Sequence, residues 1–175
     1  MQIGSEPSAV KQTELPMLPR VYVETTFVSY LTARPSRDVV IAGHQQSTHE
    51  WWDQSRADYE LCTSQLVLQE AGAGDPQAAQ ERLVILRAMI LLDTTEEAII
   101  LAEELVRSRS LPEKAADDAL HIAIAAHQKI PYLLTWNCRH MANATMRTAI
   151  EAVCTSKGYT VPIICTPEEL KKVIS

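Results

Sequence analysis

Aromatic side chains are scarce in this sequence: they make up 5% of 175 residues, and phenylalanine occurs once. That excludes a core built on ring packing and leaves alanine, leucine, isoleucine and valine to fill the interior. A basic excess is also missing. The net charge of −6 excludes a chain coated in positive potential for indiscriminate nucleic-acid binding. A local basic site, or a metal bridging to phosphate, stays open. The longest apolar run, LVILRAMILL at 83–92, is too short for a bilayer and carries Arg87, so no membrane association is expected. Cys62, Cys138, Cys154 and Cys165 form no CxxC pair, and the first residues do not read as a secretory leader. Reduced thiols in the cytoplasm are therefore expected. A structural zinc on Cys138 and His140 lacks the spacings of common zinc modules. No Ser–His–Asp or Cys–His pattern, P-loop or GxGxxG is present.

What is present is a 46% apolar chain, enough for a globular core. Residues 1–19 hold Gly4, Pro7, Pro16 and Pro19 without periodicity and read as a mobile leader; 20–175 read as one domain. A strand over 20–24 leads into a helix over 26–33, with Thr25 or Thr26 as its cap, stopped before Pro35. A helix over 38–56 and the strand YELCTS follow, with Ser64 capping a helix that carries Glu70. Pro76 opens a helix running to Met89, LLD is a short strand, and Thr94 or Thr95 caps a helix over 96–108. Next come a long helix at 113–128, the strand PYLLTWN, a helix over 139–158 ended by Gly158, a last strand and a short final helix. Strands alternating with helices predict a three-layer α/β/α sandwich around a mostly parallel sheet. Trp51 and Trp52 read as packing residues, not a base-stacking platform.

Ligands of open parallel sheets bind beyond the carboxyl ends of the strands. Glu24, at the end of VYVE, and Asn137, just past YLLTW, belong there. In the helix after Leu111-Pro112, positions 118, 121, 122 and 125 share a face that starts with Asp118 and His121 and then turns apolar. Glu70 continues the stripe of Leu66 and Val67. Taken singly, each acid reads equally as a cap, a turn residue or a solvated surface group, and His121 as a structural histidine. Three carboxylates about 5 Å apart would repel one another by roughly 3 kcal/mol per pair at an effective dielectric of about 20, which a hard divalent cation relieves. Oxygen ligands select Mg²⁺ or Mn²⁺.

The order VYVETTFVSYL, Glu70 in LVLQEAGAGD, ADDALHIAIAA and LLTWNCRHM resembles the PIN-domain nucleases, in particular VapC-type toxins and their stand-alone relatives. The resemblance covers about residues 20–170. It implies a metal-dependent ribonuclease whose acidic positions fall on Glu24, Glu70 and Asp118, with Asp117 accessory and Asn137 at the fourth. Glu24 is longer than the family's usual aspartate, and Asn137 brings no charge. The resemblance further implies Mg²⁺ or Mn²⁺ on Glu24, Glu70 and Asp118, with Thr25, His121 and Thr135 orienting the carboxylates. Arg34, Arg37 and Arg139 are the candidates for contact with RNA. A small antitoxin covering the cleft and a homodimer through the 76–90 region complete the expectation. The rival is a PIN-like scaffold that binds RNA or protein without turnover.

Overall fold

A computed structural model of the chain describes residues 17–171. Residues 1–16 of the predicted leader, and 172–175, lie outside that range. Five strands form one sheet: β1 (Arg20–Val23), β2 (Glu60–Ser64), β3 (Ile90–Leu92), β4 (Tyr132–Leu134) and β5 (Ile163–Cys165). Their order is β3-β2-β1-β4-β5, and every neighbouring pair is parallel. The helices between them are α1 (Thr25–Thr32), α2 (Val39–Gln54), α3 (Gln65–Ala71), α4 (Pro76–Leu86), α5 (Glu96–Arg107), α6 (Ala116–His127) and α7 (Ala144–Ser156).

Side chains alternate across a strand, so a sheet covered on both faces must be apolar at successive positions. Strand β1 shows this directly. Val21 and Val23 enter one buried cluster with Phe27, Leu31 and Trp51 of α1 and α2. Tyr22 enters the opposite cluster with Leu101, Leu105, Ile122 and Ile124 of α5 and α6. In β4, Leu133 and Leu134 divide in the same way. Helix α6 is alanine-rich, and Ala119 and His121 to Ala126 are all buried, so small side chains let it lie close against its neighbours. The result is the predicted three-layer α/β/α sandwich, with a sheet parallel throughout. Trp51 packs edge-on against Phe27 at a centroid distance of 5.4 Å and is buried; Trp52 lies under the Arg56 guanidinium at 4.4 Å.

Capping explains most element starts. Ser64, Asp75, Thr95 and Asn143 each accept from a backbone amide two or three residues on. Gly158, at φ 82°, ends α7 in the left-handed region, as its sequence position predicted. Three expectations are corrected. Helix α1 is capped not by a threonine but by Glu24, whose carboxylate accepts from Thr26 N at 2.9 Å. The helix expected over 139–158 begins at Ala144, because the Asn143 side chain takes the Thr145 amide at 3.0 Å and 138–142 stay in turns. The expected final helix is, among the described residues, a turn in which Glu169 N and Leu170 N both donate to Thr166 O.

Leu133 is fully buried on β4, an interior strand of the sheet. Leu133→Ala is expected to lower the unfolding free energy by about 2–5 kcal/mol, through lost transfer energy and a cavity. Urea denaturation will read this as a lower midpoint at unchanged slope.

Candidate active site

All strand ends of a parallel sheet face one edge, and the predicted acids approach it from four elements. Glu24 follows β1, Asn137 follows β4, Glu70 lies on α3 beyond β2, and Asp118 lies in the first turn of α6. The pairing of Val23 with Leu134 sets the ends of β1 and β4 side by side. Glu24 N donates to Leu134 O at 3.4 Å across that gap.

Glu24 is 2% exposed. The Thr26 amide and hydroxyl both donate to its carboxylate, and the Thr135 hydroxyl is a further partner. Thr26 Oγ1 also accepts from Trp136 N at 2.8 Å, and Thr135 Oγ1 accepts from Asn137 N at 2.8 Å. Two hydroxyls, that of Thr135 buried and that of Thr26 half-buried, thus staple the end of β1 to the chain leaving β4. Burial pushes the Glu24 carboxyl above its usual 4.5; the nearby His121 and the threonine hydrogen bonds oppose this without reversing it.

Glu70, on α3, is under different forces. Burial here also disfavours ionisation, but the His121 hydrogen bond and charge, with the Thr25 hydroxyl, outweigh it and hold the carboxyl below the usual range. His121 Nε2 lies 3.2 Å from Glu70 Oε2, and its Nδ1 lies 2.8 Å from the Tyr22 hydroxyl, which also meets Ser64 Oγ at 2.7 Å. Burial drives the Tyr22 phenol strongly upward, so it serves this chain as a neutral hydroxyl.

Asp118 takes Asn137 Nδ2 on Oδ1 at 2.8 Å and His140 Nδ1 on Oδ2 at 2.7 Å. Asn137 Oδ1 in turn accepts from His140 N at 3.1 Å. Glu24, Glu70, Asp118, Asn137, Thr25, His121 and Thr135 therefore belong to contacts along one edge. Asp117 stands apart: it is exposed and lines a groove of about 1000 Å³ bounded by α5, α6 and α7. Arg34, Arg37 and Arg139 are exposed, and none forms an ion pair among the described residues. Arg139 is in the turn next to Asn137; Arg34 lines a separate cleft with Asp75 and Arg82. Sequence reasoning missed Tyr22, Thr26 and His140. For His140 a signal existed, since it stands three residues beyond Asn137 and one turn can return it to the same carboxylate.

The donor set is oxygen-rich and hard, which suits Mg²⁺ or Mn²⁺. Among the described residues, however, no three acidic, histidine or cysteine side chains stand close enough to share an ion. Each carboxylate is instead satisfied by hydroxyl, amide or imidazole donors. The residues fit a hard cation in kind, and Glu70 and Asp118 would exchange protein donors for it.

The Glu24 shift has a stability consequence. In the unfolded chain Glu24 ionises above 4.5, while the folded chain keeps its proton to higher pH. The folded state then binds more protons, so stability falls as pH rises through that window. In chelator, Glu24→Gln is expected to lack this loss. The stability difference, variant minus wild type, should rise with pH above 4.5 by at most about 1.4 kcal/mol per pH unit in urea unfolding.

No family model and no curated protein sequence matches the chain. Eleven chains of solved structures do. VapC20 of Mycobacterium tuberculosis, a toxin that cleaves the sarcin-ricin loop, is 18% identical at TM-score 0.55, over 71% of this chain and 95% of that one. A chain of VapBC-1 from nontypeable Haemophilus influenzae is 12% identical at TM-score 0.54, over 85% of this chain and 98% of its own. A chain of FitAB bound to an IR36 DNA fragment is 15% identical at TM-score 0.51, over 87% and 98%. Identities this low speak for architecture alone, and the architecture is that of the PIN/VapC-like fold.

Proposed function

We propose that the chain is a Mg²⁺- or Mn²⁺-dependent endoribonuclease that hydrolyses RNA phosphodiester bonds, acting as the toxin of a toxin–antitoxin pair. The observation that supports the reading is that the elements carrying Glu24, Glu70, Asp118 and Asn137 all lead to the carboxyl edge of a PIN/VapC-like sheet, where Asn137 bonds Asp118. Glu24, Glu70 and Asp118 would hold the cation. An ion of this kind supplies water activation and charge neutralisation at the phosphate. The protein's own part is positioning. Tyr22 and His121 steady Glu70, Asn137 steadies Asp118, and Thr26 and Thr135 fix the strand ends that carry the acids. Arg139 offers unpaired positive charge in the turn next to Asn137, which supports RNA contact in a chain of net charge −6; Arg34 and Arg37 would meet RNA only away from the acidic edge.

Two of the three neighbours carry the paired names VapBC-1 and FitAB, which supports a small antitoxin as partner. An arginine from such a partner would suit the acidic edge. Exposed Val84 and Ile90 in the 76–90 region support the expected homodimer. No helix among the described residues is long and apolar enough to cross a membrane.

A specific observation favours a second reading. Glu24 is buried, pushed toward its neutral form and spent as a helix cap, so a binding scaffold without turnover is the competing function. Incubation with structured and single-stranded RNA in Mn²⁺ decides between the two. The nuclease is expected to cut RNA in Mn²⁺, to stop in EDTA, and to lose more than about 100-fold in rate on Asp118→Asn. RNA retained without cleavage in Mn²⁺ would establish the scaffold instead.

A further inference from the structure

Both oxygens of the Asp118 carboxylate are held by one short segment. Asn137 Nδ2 takes Oδ1 and His140 Nδ1 takes Oδ2, at 2.8 and 2.7 Å. Because a carboxylate only accepts, both nitrogens must carry the donated hydrogen, which fixes the amide orientation and places a proton on Nδ1. The segment is closed on itself: His140 N donates to Asn137 Oδ1, and Ala142 N donates to Asn137 O at 2.9 Å. Asn137 is further pinned through its own amide, which donates to the buried Thr135 hydroxyl. The His140 ring has no such second anchor. Nδ1 is its one hydrogen-bonding contact among the described residues, and the side chain is 13% exposed. Of the two donors on Asp118, the imidazole is therefore the one that a side-chain rotation can remove.

We propose that the turn from Asn137 to Ala142 is a latch on Asp118, in which His140 competes with the divalent cation for the carboxylate and must swing away when the cation binds. The proposal rests on the nuclease reading of the same site. His140 is thus a positioning residue, acting through Asp118.

The sign of one measurement separates a competitor from a ligand. Mn²⁺ binding is followed by electron paramagnetic resonance, without RNA, for the full chain, His140→Ala and His140→Asn. Removing the competing donor is expected to tighten Mn²⁺ binding by about tenfold or more, the worth of a hydrogen bond to a charged group. His140→Asn, whose amide nitrogen falls near the former Nδ1, is expected to return the affinity toward wild type. In the wild-type chain, Mg²⁺ is expected to shift the ¹⁵N signals of His140 Nδ1 and the Asn137 side-chain amide, a readout that needs no variant to fold. If the wild type binds Mn²⁺ and His140→Ala binds it equally or more weakly, the latch is overturned and the nuclease reading stands. Unmoved His140 and Asn137 signals at saturating Mg²⁺ overturn it too. If neither protein binds Mn²⁺, the metal-dependent reading falls and the latch with it.

Discussion

Everything at this edge depends on the parallel pairing of β1 with β4. Residues 20–23 and 132–134 are far apart in the chain, yet their register sets Val23 opposite Leu134. The next residues on each strand, Glu24 and Thr135, then have nowhere to be but side by side. Thr26 and Thr135 convert that adjacency into a cross-strand network, each taking a backbone amide from the segment that leaves β4. A slip of one residue would exchange the faces of β4 and send Leu133 and Leu134 to the wrong clusters, so the two apolar cores also lock the polar edge.

The acids at that edge illustrate how a protein accommodates crowded carboxylates. Two opposite solutions lie within one network. At Glu24 burial dominates and the neutral form is favoured; at Glu70 the histidine and threonine donors win and the charged form is favoured. Opposite protonation preferences at two carboxyl groups of one edge lower the negative charge gathered there, and such splitting is common where acid–base chemistry is done. The Tyr22–His121 pair is the structural cause on the Glu70 side. It is built from a central strand and the helix above it, so its geometry is as rigid as the core itself.

The architecture was legible in the sequence because local signals carry it. Apolar VYV and YLL, the capping Ser64 and Thr95, Pro76 and Gly158 each act within a few residues. The edge location of Glu24 and Asn137 followed from the general behaviour of parallel sheets. What could not be read was which donor answers which acid. Tyr22 meets His121 across 99 residues, His121 meets Glu70 across 51, and Trp136 meets Thr26 across 110. No periodicity encodes such meetings. The cap of α1 was misassigned for a related reason: threonine is the commoner cap, but the carboxylate of Glu24 is buried at the helix start, and the hydroxyls of the two threonines after it donate to Glu70 and to Glu24 itself. The start of α7 was hidden because Asn143 offers its amide neighbours a bond that helix continuation would have to replace.

The strand order has a consequence for biosynthesis. Tyr22 is in register with Cys62 on one side and with Leu133 on the other, so one flank of the central strand is matched early and the other waits until well over half of the chain has been made. At ribosomal speeds of about 5–20 residues per second, the gap between the two partners emerging is on the order of several seconds. For that interval the nascent protein carries an open sheet edge and an uncovered apolar face, a state that chaperones recognise and that only the late arrival of residues 132–134 can close.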